Sequence, residues 1–152
     1  MKTRLLAASL LLTMAFVSCK KSDDATPATT TTTADDVKPV LTTGTWTVSL
    51  YRQRTEVKTS DYSGITFTFS ADGTLTATEK GKTIRGTWTS TPGGVTYYGA
   101  APSVATLTIS LGKDKPYDRI SQSWNVNTAT VASNVKLDYK EPADDEHLEF
   151  VR

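Results

Sequence analysis

The most constraining feature of this sequence is a two-residue repeat of large apolar side chains that begins after Gly44. Residues 65–69 read ITFTF and residues 107–111 read LTISL, so bulky residues alternate with threonine or serine. Such alternation is typical of strands that have one buried and one solvated face. No stretch after Gly44 has the spacing of an amphipathic helix, and the pattern therefore predicts an all-β fold.

Short turn signals separate the alternating runs. Ala71-Asp72-Gly73 and Lys80-Gly81-Lys82 predict tight hairpins, because aspartate and glycine favour the backbone angles of short turns. About eight short strands joined in this way favour an antiparallel up-and-down β-barrel, in which closure removes the exposed edges of the sheet. One position breaks the apolar phase, since Gln122 lies between Ile120 and Trp124.

Residues 1–18 differ from the rest of the chain. Lys2 and Arg4 provide a basic start, and residues 5–17 are almost entirely apolar. This apolar run has the length found in secretory signals and is shorter than the roughly 20 residues that span a bilayer. The sequence therefore predicts a signal peptide over residues 1–18.

Cys19 is the only cysteine, so it has no partner for a disulfide within the chain. Together with the preceding Val17-Ser18, it resembles the lipobox of bacterial lipoproteins. The resemblance implies cleavage before Cys19 and attachment of lipid to its thiol, which would anchor the protein to a membrane. Because Lys20 follows Cys19 in place of an aspartate, the resemblance also implies the outer membrane. It does not distinguish the cell surface from the periplasmic face of that membrane.

Residues 19–43 are rich in threonine and include an uninterrupted run, Thr29–Thr33. They have no apolar repeat whose burial would offset the entropy lost on ordering, and we therefore predict a disordered tether. The chain thus divides into a signal peptide (1–18), a lipidated cysteine with its tether (19–43) and a β-barrel domain (44–152).

Gly44-Thr45-Trp46 resembles the Gly-x-Trp motif on the first strand of lipocalins, and Gly86-Thr87-Trp88 repeats the same letters. A phenylalanine-rich strand, an Asp-Gly turn and this repeat follow one another as in the small lipocalin-like domains of bacterial lipoproteins. The resemblance implies a small barrel in which an arginine packs on the first tryptophan, with Arg152 and Arg119 as candidates. Each repeated glycine also predicts a close approach of strands next to a large ring in the core.

Aromatic residues carry the prediction of a binding site. The interior of an eight-stranded barrel is just wide enough for side chains to fill it, or for one small ligand. A packed core and an apolar cup for a small hydrophobic ligand are therefore both open. The candidate ligand-binding residues are Trp46, Phe67, Trp88 and Trp124 on strands, and Tyr97 and Tyr98 in a loop.

The chain contains little that points to catalysis or metal binding. His147, the only histidine, lies in the acidic run 144–149, which predicts a solvated turn before a last strand whose Leu148 faces inward. Asp114 and Asp118 lie in a probable loop among lysines, where nothing marks them for acid–base chemistry. Motifs for nucleophilic hydrolysis, zinc or phosphate binding are missing from the sequence. We expect no catalytic residues, no metal site and no cofactor.

The charge balance bears on the partner. The chain has 17 lysine and arginine residues against 16 aspartate and glutamate residues, and loss of residues 1–18 leaves 15 against 16, a net charge of −1. A near-neutral domain argues against nucleic acid. We therefore expect a lipid-anchored outer-membrane lipoprotein that binds a small hydrophobic ligand or a surface partner without catalysis. The alternative is an accessory or structural envelope lipoprotein whose solid barrel docks on a protein complex.

Overall fold

The structure, a computed structural model, describes residues 35–94 and 103–152. The predicted signal peptide, Cys19 and the loop tyrosines Tyr97 and Tyr98 lie outside these described residues. The described part is all-β, as predicted, and its nine antiparallel strands form one curled, barrel-like sheet.

The nine strands are numbered in chain order. They are β1 (Thr47–Gln53), β2 (Glu56–Val57), β3 (Ile65–Phe69), β4 (Thr74–Glu79), β5 (Lys82–Thr91), β6 (Thr106–Ser110), β7 (Ser123–Val126), β8 (Asn134–Tyr139) and β9 (Glu146–Val151). Their order across the sheet is β2-β1-β9-β8-β7-β6-β5-β4-β3, so β3 to β9 neighbour one another in sequence and β9 returns beside β1.

The sheet has one strand more than the roughly eight that its apolar runs predict. The additional strand is β2, which pairs only with β1 through Arg52 opposite Val57 and Gln53 opposite Glu56. Arg54 has a positive φ of 55° and turns the chain back after β1. A two-residue strand is too short to show alternation, which is why the sequence pattern misses it.

The curled sheet closes between the start of β1 and β3, at Trp46 and Phe67. Trp46 immediately precedes β1, and its backbone N–H and carbonyl each make a 2.8 Å hydrogen bond with Phe67 in β3. The pair is an isolated antiparallel bridge between the residue before β1 and the middle of β3. It satisfies backbone groups that an open edge would leave exposed.

The alternating residues face the core as predicted. Trp46, Phe67, Trp88 and Ile109 are each no more than 3% exposed, and the threonines and serines between them are more exposed. The buried residues of β1 and β3 to β9 form a continuous apolar core inside the curled sheet, whereas both residues of β2 are exposed.

The two glycines of the repeated Gly-Thr-Trp have different roles. A Cβ at Gly86 would lie 1.9 Å from the carbonyl oxygen of Ser110 in β6, so the close approach predicted from the repeat is confirmed there. Gly44 has free space around it but adopts a φ of +85°, a backbone conformation that disfavours other residues. Identical letters thus meet a packing requirement at one site and a conformational requirement at the other.

Two short helices lie at opposite ends of the barrel, α1 (Lys38–Leu41) where β1 begins and α2 (Tyr117–Ile120) between β6 and β7. Single turns of 3₁₀ helix cover Thr59–Tyr62 and Pro142–Asp144. We call the two ends of the barrel the α1 end and the α2 end. Among the helices of residues 35–94 and 103–152, none has the length and apolar character needed to cross a bilayer.

The ordered domain begins earlier than Gly44, the boundary expected from the sequence. Val37 and Leu41 are 1% and 0% exposed, and the carbonyl of Leu41 accepts a 3.0 Å hydrogen bond from the indole N–H of Trp46. Both residues lie on one face of a single helical turn that covers the α1 end. Val37 and Leu41 are two isolated apolar residues next to a threonine-rich run and form no repeat. The sequence pattern therefore assigned them to the tether.

Candidate binding site

The interior of the barrel is filled by aromatic rings. Four of the predicted ligand-binding residues lie in this buried core: Trp46, Phe67, Trp88 and Trp124. Phe67 and Phe150 meet edge to face with 5.3 Å between ring centroids, and Phe69 contacts Trp88 at 5.4 Å and Phe150 at 5.5 Å. Such contacts are the preferred packing of aromatic side chains. Where these rings meet, the barrel interior is a packed core. The other two predicted ligand-binding residues, Tyr97 and Tyr98, lie outside the described residues.

An arginine packs on the first tryptophan, and it is Arg152. Its guanidinium carbon lies 5.4 Å from the centroid of the Trp46 ring, in the range of cation–π contacts. The same guanidinium donates a 3.0 Å hydrogen bond to the carbonyl of Thr43. Arg119, the other candidate, bonds instead with Asp61 at the α2 end.

A groove of about 430 Å³ opens beside β7, β8 and β9, and we call it the β7–β9 groove. Asn125, Asp138 and His147 are opposite one another on these strands and are partly exposed, so they form the outward side of the sheet. Val104 and Tyr139 add apolar surface to the lining. This volume lies within the range of small-molecule sites.

His147 is held between two aspartates. Its Nδ1 lies 2.7 Å from Asp138 Oδ1 and its Nε2 lies 2.8 Å from Asp145 Oδ1. Carboxylates only accept, so both hydrogen bonds exist together when both ring nitrogens carry hydrogen. Arg52 donates to Asp145 at 2.9 Å, and Asn127 donates to Asp138 at 2.7 Å. Each nitrogen of the imidazole therefore faces a carboxylate oxygen, and each of the two carboxylates has a second hydrogen-bonding partner.

The hydrogen bonds around Asp145 favour its ionised form. The hydrogen bond from His147 is the main cause that lowers the pKa of Asp145 below its ordinary value, and the hydrogen bond from Arg52 adds to it. His147 faces outward and Leu148 inward, as the sequence predicts. The sequence places His147 in a solvated turn, whereas the structure places it within β9 and gives it two hydrogen-bonding partners.

Glu146 is a functional candidate that sequence reasoning missed. It is only 8% exposed and occupies the inward phase of β9, ahead of Leu148 and Phe150. Its Oε1 accepts a 2.6 Å hydrogen bond from Gln53 Nε2, and its Oε2 accepts a 2.9 Å bond from Gln122 Nε2. The one sign of this site in the sequence was Gln122, a polar residue at a position where the strand pattern calls for an apolar one. The structure explains it, because Gln122 donates to the buried carboxylate of Glu146.

Glu146 borders two pockets. It lines the β7–β9 groove and also a second pocket of about 350 Å³ at the α2 end. Gln53, Glu56 and Asp144 contribute to the second pocket, together with Arg54, which makes a 3.4 Å ion pair with Asp144. Glu146 is thus the residue that appears in the lining of both pockets.

Two buried tyrosines, Tyr51 and Tyr62, lie near the α2 end of the barrel, with ring centroids 5.4 Å apart. The hydroxyl of Tyr62 donates a 3.0 Å hydrogen bond to the carbonyl of Pro116, and burial raises the pKa of Tyr62. The hydroxyl of Tyr51 lies near the Glu146 carboxylate without hydrogen-bonding geometry, and it has no partner within the described residues. Burial first, and then the charge of Glu146, raise the pKa of Tyr51 to about 12.

Neither predicted aspartate takes part in an acid–base pair. Asp114 and Asp118 flank the start of α2, where the carbonyl of Asp114 accepts a 3.0 Å hydrogen bond from the Asp118 amide. Within residues 35–94 and 103–152, no three side chains of histidine, cysteine, aspartate or glutamate come together in a way that could hold a metal ion.

Protein-family models, curated proteins and solved structures were compared with the chain, and none matches it. The functional proposal therefore rests on the packed interior, the two pockets and the residues that line them.

Proposed function

We propose that this protein is a lipid-anchored lipoprotein of the bacterial outer membrane whose lipocalin-like domain binds a small ligand without catalysing a reaction. The proposal of an anchor is supported by the basic and apolar leader and by the single cysteine in a lipobox-like setting. Lipid chains on Cys19 would hold the protein to the membrane, because each buried methylene contributes about 0.8 kcal/mol.

The lipocalin-like assignment is supported by the arrangement around Trp46. Eight strands, β1 and β3 to β9, surround the core, and β2 is an addition to β1. The Trp46–Phe67 pair joins the two ends of this set. Arg152 lies over the Trp46 ring as the resemblance implies.

The ligand is proposed to bind in the β7–β9 groove instead of the barrel interior. The observation that carries this proposal is the contrast between aromatic rings in mutual contact inside the barrel and an open groove of about 430 Å³ outside it. Val104, which is 55% exposed, and the partly exposed Tyr139 offer apolar contact to a hydrophobic ligand. Asn125 and Asp138 stand beside them as polar groups that orient it, the usual composition of a ligand site.

A neutral apolar probe tests the site. In a titration with 1-hexanol followed by backbone amide resonances, we expect shifts around Tyr139 and Val104 and none around Phe67. Replacement Tyr139→Ser should weaken this binding, whereas Tyr117→Phe, at the α2 end and away from the groove, should not. Shifts confined to the core residues, or no shifts, would overturn the placement of the ligand.

The anchor has its own test. In a bacterial host that lipidates lipoproteins, Cys19→Ala should move the protein from the membrane fraction to the soluble fraction. Thr26→Ala, a matched change a few residues away, should leave it on the membrane. A Cys19→Ala protein that stays on the membrane would contradict lipid anchoring through this residue.

A docking role on a protein complex is the second candidate, and the packed interior is the observation that favours it. Among the described residues, the large apolar side chains with high exposure are Val57 at 64%, Val104 at 55% and Val131 at 52%. They belong to three separate segments, and singly exposed apolar residues are ordinary on protein surfaces. A docking role requires a contiguous apolar patch, so ligand binding in the groove has the stronger support.

A further inference from the structure

Five basic side chains lie together on one side of the α2 end. The hairpin between β4 and β5 is at this end, and the connection from β6 to α2 runs beside it, since a Cβ at Gly86 in β5 would lie 3.0 Å from the Cα of Leu111. Burial, and then the charge of Glu79 at the end of β4, raise the pKa of Tyr117 in α2, so the two segments are also close there. We call the exposed basic residues of these segments the basic rim: Lys80, Lys82, Arg85, Lys113 and Lys115.

The charges of the domain are unevenly divided between the basic rim and the rest. Residues 79–85 and 111–116 contain five basic and two acidic side chains, whereas the other described residues contain eight basic and twelve acidic ones. A local excess of three positive charges therefore stands on a domain whose other side chains carry a net negative charge. Charge segregation of this kind attracts a partner of opposite sign.

The cations of the basic rim are also less compensated than the others. Elsewhere in the described residues, five of the eight basic side chains make ion pairs: Arg52, Arg54, Lys58, Arg119 and Lys136. In the basic rim only Lys80 has such a partner among the described residues, Glu79 at 3.7 Å, and the Lys80 side chain is 88% exposed. An ion pair this exposed contributes little, so all five cations are available to a ligand.

The surface around these cations is polar. Arg85 lies on the outward side of β5 opposite Thr76, and the next outward pair toward the hairpin is Thr78 and Thr83. None of the highly exposed large apolar residues of the described segments belongs to this surface. Protein interfaces are rich in aromatic residues and poor in lysine, so a folded protein partner fits it badly. Hydroxyl and ammonium groups match instead the hydroxyls and carboxylates of a sugar chain.

We infer that the basic rim binds an acidic polysaccharide, whose carboxylates recur along an extended chain. Lysine ammonium groups bind such carboxylates as compact point charges on flexible stems, which suits a repeating partner and needs no preformed pocket. The chain enters the domain at the α1 end, so if the proposed anchor holds the protein through that side, the basic rim is at the end away from the membrane. Membrane lipid is then the less suitable source of negative charge. The β7–β9 groove shares no residue with the basic rim.

Calorimetric titration with polygalacturonate tests the inference, and neutral dextran of the same length is the control ligand. We expect binding of polygalacturonate and not of dextran. Its affinity should fall about tenfold or more when sodium chloride is raised from about 50 mM to about 300 mM, because salt screens exposed charges. No binding, equal binding of the two polymers, or binding that salt does not weaken would overturn the inference.

Two double variants locate the site. Lys82→Gln with Lys113→Gln removes one charge from each segment of the basic rim and should weaken the binding of polygalacturonate about tenfold. Lys38→Gln with Lys140→Gln removes the same charge from α1 and from the connection after β8, and should leave the affinity almost unchanged. All four side chains are exposed, so both proteins should keep the wild-type urea midpoint. Equal weakening by the two variants would show that net charge controls binding, and would overturn the site.

Two further polyanions decide between partners. Phosphatidylglycerol vesicles and a duplex DNA of matched charge are titrated under the same conditions, and weaker binding of both than of polygalacturonate supports a polysaccharide. Tighter binding of the vesicles or the DNA, lost in the Lys82→Gln, Lys113→Gln protein, would overturn the polysaccharide and assign the surface to a membrane or a nucleic acid. None of these results bears on hexanol binding in the β7–β9 groove, so the inference and the proposed function fail separately.

Discussion

The two ends of the barrel differ in whether the polar atom of one fully buried aromatic side chain has a partner among the described residues, as it does for Trp46 at the α1 end and does not for Tyr51 at the α2 end. At the α1 end, Val37 and Leu41 pack beneath Trp46, and the indole N–H, the Leu41 carbonyl and the Arg152 guanidinium all have partners. At the α2 end, Tyr51 is buried with its hydroxyl unpaired among the described residues. A buried polar group without a partner lowers stability, so the polar atom of Trp46 should contribute to the stability of the domain and that of Tyr51 should not.

The largest effect is expected at the α1 end from Trp46→Ala. The substitution empties the space of a fully buried indole and removes its hydrogen bond to Leu41, so it should lower the free energy of unfolding by about 3–5 kcal/mol. Urea denaturation followed by far-ultraviolet circular dichroism measures this. A loss below about 1 kcal/mol would mean that Trp46 is not a core residue.

Leu41→Ala tests whether the segment before Gly44 belongs to the folded domain. Because Leu41 is fully buried, we expect a loss of about 2–4 kcal/mol in the free energy of unfolding. Lys38→Ala in the same helix is the control and should change stability little, since its side chain is exposed. Equal, small effects of both substitutions would show that residues 35–43 do not stabilise the barrel.

Alkaline pH should lower the free energy of unfolding through the buried tyrosines of the α2 end. The pKa of Tyr51 is about 12 in the folded protein and 10 in the unfolded chain, and burial also raises the pKa of Tyr62. The unfolded state therefore loses protons first, and stability should fall as the pH rises from 10 towards 12. Urea midpoints between pH 9 and pH 12 measure the fall, and Tyr51→Phe should make it shallower. An identical fall in the variant would contradict the role of Tyr51.

The smallest expected effect is a contrast between the two tyrosines. Tyr62→Phe loses the hydrogen bond to the Pro116 carbonyl and should cost about 0.5–1.5 kcal/mol. Tyr51→Phe removes an unpaired buried hydroxyl and should be neutral or slightly stabilising at pH 7. Thermal unfolding at matched concentration compares them. A greater cost for Tyr51→Phe would show that its hydroxyl is satisfied in the free protein.

The strands and their inward faces could be predicted because alternation is a local property. Residues 65–69 and 107–111 carry the pattern within five positions, and the structure buries the residues that the pattern selects. The close approach at Gly86 was also predictable, since a glycine between two strand positions has few other reasons to occur.

The candidate site could not be predicted in the same way because its contacts are distant in sequence. Glu146 meets Gln53 across 93 positions and Gln122 across 24 positions. In the sequence it belongs to an acidic run that favours a solvated turn, and only the return of β9 beside β1 buries it. The helical turn containing Val37 and Leu41 escaped prediction for another reason, since one turn has no repeat.

The position of α1 has a mechanical consequence. The chain enters the domain at the α1 end, where the Asp35 carbonyl accepts a 2.8 Å hydrogen bond from Gly93 and Val37 and Leu41 are seated in the core. A pull on the N-terminal side reaches this seated turn before it reaches β1. If the proposed anchor holds the protein through this side, traction would first pull Val37 and Leu41 out of the core, and the strands would bear load only after that.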